Sequence, residues 1–170
     1  FARAVLGLNR GETLDLADPR GLIQTCGLTD DSRRLRVVLN VSLSARTATA
    51  RQICATGEAG GGVHHIALAC DDILETVDRL RANGVQFVPI SGNYYEDLSA
   101  RLGLDDSAVA ALRARDIVLD TSGGGHYYHA FAEPFEERFF VEVVQRTGYD
   151  GYGALNAPAR LASIAQSAEG

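Results

Sequence analysis

Two side chains able to bind a metal sit inside otherwise apolar segments. They are His65 in Gly61-Gly-Val-His-His-Ile-Ala-Leu68 and Glu142 in Arg138-Phe-Phe-Val-Glu-Val-Val-Gln-Arg146. Alternation along a strand groups Val63, His65 and Ala67 on one face, and Phe140, Glu142 and Val144 on one face of the other. An ionised carboxylate buried among Phe and Val costs several kcal/mol unless a cation or strong donors meet it. A divalent metal shared with a neutral imidazole would meet it. So would a buried His–Glu hydrogen bond or an Arg partner, and the two residues alone leave all three open.

The elements that must position this pair fall into two halves around a Gly-rich stretch near Gly57 to Gly62. The first opens with the end of a helix, Phe1 to Leu6, closed by Gly7. Strand patterns follow at Glu12 to Ala17, Leu22 to Leu28 and Leu35 to Ser42, where Val37, Leu39 and Val41 alternate with their neighbours. Turn signals at Asp18-Pro19-Arg20-Gly21 and Asp30-Asp31-Ser32 separate them. Ala45 to Gln52 reads as a linker or short helix. The second half begins with a strand, Val63 to Cys70. Asp71 or Asp72 then caps a helix with Ile73, Val77 and Leu80 on its apolar face, closed by Asn83-Gly84. A strand at Gln86 to Ile90 and a helical insertion from Tyr95 to Arg115 come next. Strands at Ile117 to Asp120, Tyr127 to Ala132 and Phe139 to Gln145 close the half. The second half is strand, helix, several strands; the first matches it if an opening strand lies outside the sequence.

The remaining features carry less chemistry. Gly123-Gly-Gly-His126 reads as a turn between strands, since no helix N-terminus follows it to hold a phosphate. His126 is expected as a solvated loop residue, Cys70 as apolar filler, and Glu133 to Glu137 as a solvated hairpin. Tyr94 and Tyr95 suit a pocket lining or a core equally. A chain of 170 residues can bury one sizeable core or two small similar halves. The formal charge of -6 and the lack of a basic stripe argue against nucleic acid. Three cysteines (Cys26, Cys54, Cys70) without metal-site spacing suit free thiols in a reducing cytoplasm. No apolar run reaches the roughly 18 residues of a membrane span, and the first residues lack the form of a signal peptide.

Four runs in this order resemble the C-terminal domain of the 4-hydroxyphenylpyruvate dioxygenase family. They are Gly62-Val-His-His-Ile-Ala-Leu68, Asn93-Tyr94-Tyr95, Phe139-Phe-Val-Glu-Val-Val-Gln-Arg146 and Gly151-Tyr-Gly-Ala-Leu-Asn156. A closer resemblance is to the dioxygenase-like domains fused behind a TIM-barrel 3-dehydroshikimate dehydratase. It begins at Phe1-Ala-Arg-Ala-Val-Leu-Gly-Leu8 and runs through Leu14-Asp-Leu-Ala-Asp-Pro19 and Arg36-Val-Val-Leu-Asn-Val-Ser42 to Tyr149-Asp-Gly-Tyr-Gly153. The resemblance implies an α+β vicinal oxygen chelate fold of paired βαβββ modules, the first lacking its leading strand. Expected boundaries are 1–56 for the first module, 57–147 for the second, and 148–170 for a C-terminal gating segment and tail. It also implies that His65 and Glu142 are metal ligands, with a further His on the strand before Phe1. Such a two-His, one-carboxylate set holds Fe(II) with open positions, and Mg, Mn or Co could replace it. His64, next in the strand, is expected on the opposite face.

Where this sequence departs from the family is also informative. The family reads Leu-Leu-Gln-Ile-Phe on the strand before the carboxylate; here it is Tyr127-Tyr-His-Ala-Phe131, with His129 in the Gln place and Phe131 kept. The family's gating helix opens Gly-Asn-Phe; here it is Leu155-Asn-Ala-Pro158, with Asn156 kept and Ala157 in place of the ring. Losing one face of an aromatic clamp forfeits roughly 0.5–1.5 kcal/mol beyond area burial. His129, Phe131 and Asn156 are the expected ligand contacts. The expected ligand is a small keto acid or a cyclohexene carboxylate rather than a 4-hydroxyphenyl ring. Two functions follow from the resemblance: an accessory metal-binding domain behind an upstream TIM-barrel dehydratase in quinate and shikimate catabolism, or an active non-haem iron dioxygenase. A cytoplasmic homo-oligomer is the expected setting.

Overall fold

The computed structural model describes residues 1–18, 20–54, 61–136, 139–153 and 156. Most of the Gly-rich stretch and Ala157 therefore lie outside the described residues. Helix α1 (Ala2–Leu6) stops where Gly7 turns left-handed at φ 64°. Strands β1 (Asn9–Asp18), β2 (Gly21–Thr29) and β3 (Arg36–Ser42) form an antiparallel sheet in that order. Asp18 tightens the first turn by accepting from the Arg20 backbone N–H at 2.8 Å. The segment after β3 resolves as helix α2 (Ala48–Cys54).

The second sheet is built from β4 (His65–Ala69), β5 (Val118–Ser122), β6 (Gly125–Phe131) and β7 (Phe140–Thr147), in the order β4-β7-β6-β5. Strand β4 runs parallel to β7 and the others are antiparallel. A parallel neighbour needs a crossover, and helix α3 (Ile73–Ala82) begins it. Its N-cap Asp72 accepts from the Glu75 N–H at 3.0 Å, and its buried Ile73 and Val77 face the core. The order β7-β6-β5 repeats the order β3-β2-β1 of the first sheet. Each half thus contains a three-stranded antiparallel meander.

Two sequence expectations change. Gln86 to Ile90 does not form a ladder strand; it makes a single bridge, Phe87 to Ala132. Pro89 has no N–H to donate, and the Ile90 N–H goes instead to the Asp116 carboxylate at 2.9 Å. The helical insertion divides into α4 (Gly92–Leu102) and α5 (Asp106–Arg113). Gly103, at φ 60°, ends the first, and the Asp105 side chain caps the second through the Ala108 N–H. Helix α4 begins at Gly92, three residues before the expected start at Tyr95, so Tyr94 and Tyr95 both sit near its N-terminus. One core cluster joins Ile73, Val77, Tyr95, Leu98 and Leu112 from the helices to Ile117, Leu119 and Val143 of the second half.

A short tail after β7 ties the sheets together. The Tyr152 ring lies so close to Gly27 of β2 that a Cβ there would stand 2.2 Å from it. Its neighbour Asp150 pairs with Arg33, and its carbonyl accepts from Arg36 at 3.1 Å. Tyr149 points the other way, donating to the Asp120 carboxylate of β5 at 2.6 Å.

Candidate metal centre

Strand register puts the chemistry on one face of the second sheet. His65 lies opposite Phe140, and Ala67 opposite Glu142. Glu142 lies opposite Phe131, His129 between Val144 and Val118, and Tyr127 opposite Asp120. His65, Glu142, Phe131, His129 and Tyr127 therefore share a face, as the period of two requires.

The carboxylate of Glu142 is buried, 5 % exposed, and its two oxygens have different neighbours. Oε1 accepts from His129 Nδ1 at 2.6 Å and lies 3.4 Å from the Tyr127 hydroxyl. Oε2 lies 3.5 Å from His65 Nε2. Two ligands held at roughly 2.1 Å from one ion, at angles between octahedral and tetrahedral, stand about 3.0–3.4 Å apart. The His65–Glu142 separation is close to that span, so the pair fits a shared divalent ion. The described residues do not contain a full set of three His, Cys, Asp or Glu side chains placed for a metal.

His65 is held by two neighbours. Its ring stacks on Phe140 with centroids 4.9 Å apart, and its Nδ1 lies 2.9 Å from Nδ1 of His64. That contact corrects the expected place of His64. The residue precedes β4, where strand alternation no longer governs direction, so its ring turns beside His65 and edge-on to Phe140. The Nδ1 contact leaves Nε2 of His65 directed at the carboxylate, the division of labour usual for a ligating imidazole.

Phe131 is buried and sits edge-to-face with His129 at 4.9 Å. His129 is 3 % exposed, and its Nε2 lies 2.9 Å from the Asn156 amide nitrogen. Asn156 in turn meets Tyr94, whose hydroxyl lies 3.1 Å from Oδ1. Sequence reasoning did not reach Tyr127, Asp120, Tyr149 or the link from Tyr94 to Asn156. Alternation along Tyr127-Tyr-His-Ala-Phe131 was the available signal for Tyr127. Nothing in the sequence brought Tyr94 near position 156. Burial and the Glu142 charge push the Tyr127 phenol well above its ordinary range, and burial pushes Tyr94 up to about 12. Both therefore stay protonated donors near neutrality. Arg146 lies over the Tyr127 ring, its guanidinium carbon 4.1 Å from the ring centre.

Two sheets, the second with a parallel edge strand reached by a helical crossover, give the α+β fold of a vicinal oxygen chelate domain. Residues 1–139 match the Glyoxalase/Bleomycin resistance protein/Dioxygenase superfamily, and the chain belongs to it. More narrowly, it is 40% identical over 172 aligned residues to the 3-dehydroshikimate dehydratases of Pseudomonas putida and Pseudomonas aeruginosa, all of this chain against 27% of theirs. It is thus homologous to their C-terminal part and spans about a quarter of their length. The 4-hydroxyphenylpyruvate dioxygenase of Yarrowia lipolytica is 38% identical over 103 residues, 57% of this chain and 26% of that one. A solved xylose isomerase-like TIM barrel/4-hydroxyphenylpyruvate dioxygenase fusion protein is 35% identical, with TM-score 0.75, and is matched over 97% of this chain and 26% of its own. A variant of 4-hydroxymandelate synthase from Streptomyces coelicolor shares the fold, with TM-score 0.84 over 98% of this chain and 48% of its own at 22% identity.

Proposed function

We propose that this chain is a divalent-metal domain of the 4-hydroxyphenylpyruvate dioxygenase type, forming the C-terminal part of a 3-dehydroshikimate dehydratase. In that protein it follows a TIM-barrel domain in quinate and shikimate catabolism. The observation that carries the metal reading is the approach of His65 to a buried Glu142 at 3.5 Å. His65 and Glu142 are the residues that would hold the ion. A bound divalent metal would act as Lewis acid toward paired oxygens of a keto acid or hydroxy acid, and as iron would also supply a redox centre. Phe131 offers an apolar wall, while Tyr127 and His129 exclude water from Glu142 Oε1. The free state of Cys26, Cys54 and Cys70 suits a cytoplasmic setting.

His129 and Ala157 replace the family's metal-side Gln and clamping Phe, which favours an accessory role over turnover of a 4-hydroxyphenyl substrate. The test uses the full polypeptide. Dehydration of 3-dehydroshikimate should weaken when this domain is deleted, and oxygen uptake with 4-hydroxyphenylpyruvate should stay at background. Uptake on the order of 1 per second or faster would establish the dioxygenase reading instead. Dehydration unchanged by deletion would remove the accessory role.

A further inference from the structure

The polar contacts around Glu142 form a chain with one consistent direction. The Leu119 N–H donates to the Tyr94 oxygen at 2.9 Å. The Tyr94 hydroxyl proton has two acceptors, the Leu119 carbonyl and Asn156 Oδ1, each 3.1 Å away, and the Asn156 amide turns its Oδ1 toward Tyr94. That orientation presents the Asn156 amide N–H₂ to His129 Nε2 at 2.9 Å. An amide nitrogen can only donate, so Nε2 accepts and the ring proton resides on Nδ1. Nδ1 then donates to Glu142 Oε1 at 2.6 Å. With the Asn156 amide in this orientation both imidazole nitrogens are engaged inside the protein, Nε2 accepting and Nδ1 donating.

The tail that supplies Asn156 is held against this chain. Tyr149 is anchored on Asp120 and accepts the Gly153 N–H at 3.2 Å. Gly153, at φ 67°, passes so close to the sheet that a Cβ would stand 2.4 Å from Tyr127 and 3.2 Å from His129. Only glycine combines that backbone angle with that approach.

We propose that His129 is a positioning residue for the metal carboxylate. Held in its Nδ1–H tautomer by Asn156 and Tyr94, it pins Glu142 Oε1 and turns Oε2 toward His65. The metal half of this statement rests on the reading given under Proposed function. The docked tail thereby becomes part of the metal site, although Asn156 lies 14 residues beyond Glu142 in the chain.

The test uses the intact protein and Mn2+ as the probe. His129→Leu removes the donor and should weaken Mn2+ binding about 10–100-fold, the range for loss of a group that orients a ligand. His129→Gln should recover most of that loss, because its amide N–H₂ can donate to Glu142 while its carbonyl accepts from Asn156. Asn156→Leu should weaken binding in the same direction. The second readout is the ring nitrogens of histidine-selectively 15N-labelled, metal-free protein, with His129 assigned by its loss in His129→Gln. A protonated Nδ1 and bare Nε2 support the proposal; the opposite tautomer overturns it. His129→Leu binding Mn2+ as tightly as the parent, with an unchanged melting temperature, also overturns it. A parent that binds no Mn2+ overturns the metal reading, and the hydrogen-bond chain is then decided by the tautomer alone.

Discussion

Tyr94 and Tyr95 are adjacent and both set back from solvent, yet removing their hydroxyls should have opposite effects. The Tyr94 oxygen accepts from the Leu119 N–H at 2.9 Å and lies 3.1 Å from both the Leu119 carbonyl and Asn156 Oδ1. Strand β5 is an edge strand, so Tyr94 supplies partners that a neighbouring strand would otherwise provide. Tyr94→Phe leaves a backbone donor and a side-chain acceptor unpaired, costing about 1–3 kcal/mol. The Tyr95 hydroxyl is buried with no partner among the described residues. Tyr95→Phe removes a desolvated group and keeps the ring, which is 1 % exposed, so stability should hold or rise by up to about 1 kcal/mol. At roughly 2–4 °C per kcal/mol for a chain of this size, Tyr94→Phe should lower the melting temperature by roughly 2–12 °C. Tyr95→Phe should leave it level or raise it. Thermal melts followed by circular dichroism, with urea titrations to check that the m-value is unchanged, decide the matter. Equal losses in the two variants, or a larger loss at Tyr95, would refute this accounting of the hydroxyls.

Alkaline pH and the sheet-bridging tail provide two more predictions. Burial raises the Tyr94 phenol to about 12 from an ordinary value near 10, so the folded state keeps a proton that the unfolded state loses. Stability should therefore be indifferent to this group below pH 10. It should then fall between about pH 10 and 12 by up to roughly 1.4 kcal/mol per pH unit, with a shallower fall in Tyr94→Phe; urea titrations across that window measure it. Gly27→Ala puts a Cβ 2.2 Å from the Tyr152 ring, so the ring must leave its seat on the first sheet. The variant should lose about 1–3 kcal/mol, the range for overpacking, and the loss should shrink when Tyr152→Ala is already present.

Strand and helix identities were legible because period-two and helical spacings, caps and turn glycines agreed with one another. Gly7, Asp72 and Gly123-Gly124 each do locally what their residue types imply: the first ends α1, the second caps α3, and the last pair turns at φ 58° and 80° between β5 and β6. Gln86 to Ile90 misled because an apolar run does not reveal where its backbone donors go; Pro89 and Asp116 decided that. The long insertion concealed a break at Gly103 because both its helices carry apolar residues at compatible spacing. His65 and Glu142 stood out as polar residues within apolar strands. The Tyr94–Asn156–His129 link was illegible, since it joins a helix, a strand and the tail through contacts 62 and 27 residues apart.

The central claim is that His65 and Glu142 hold a divalent ion. Its most direct test is metal content measured by elemental analysis after equilibrium dialysis of the intact protein against Mn2+, beside His65→Ala and Glu142→Ala, with melts confirming that each variant is folded. The account predicts a stoichiometric ion in the parent and its loss in both variants. Uptake by Glu142→Ala equal to that of the parent, or no uptake by the parent, would contradict it.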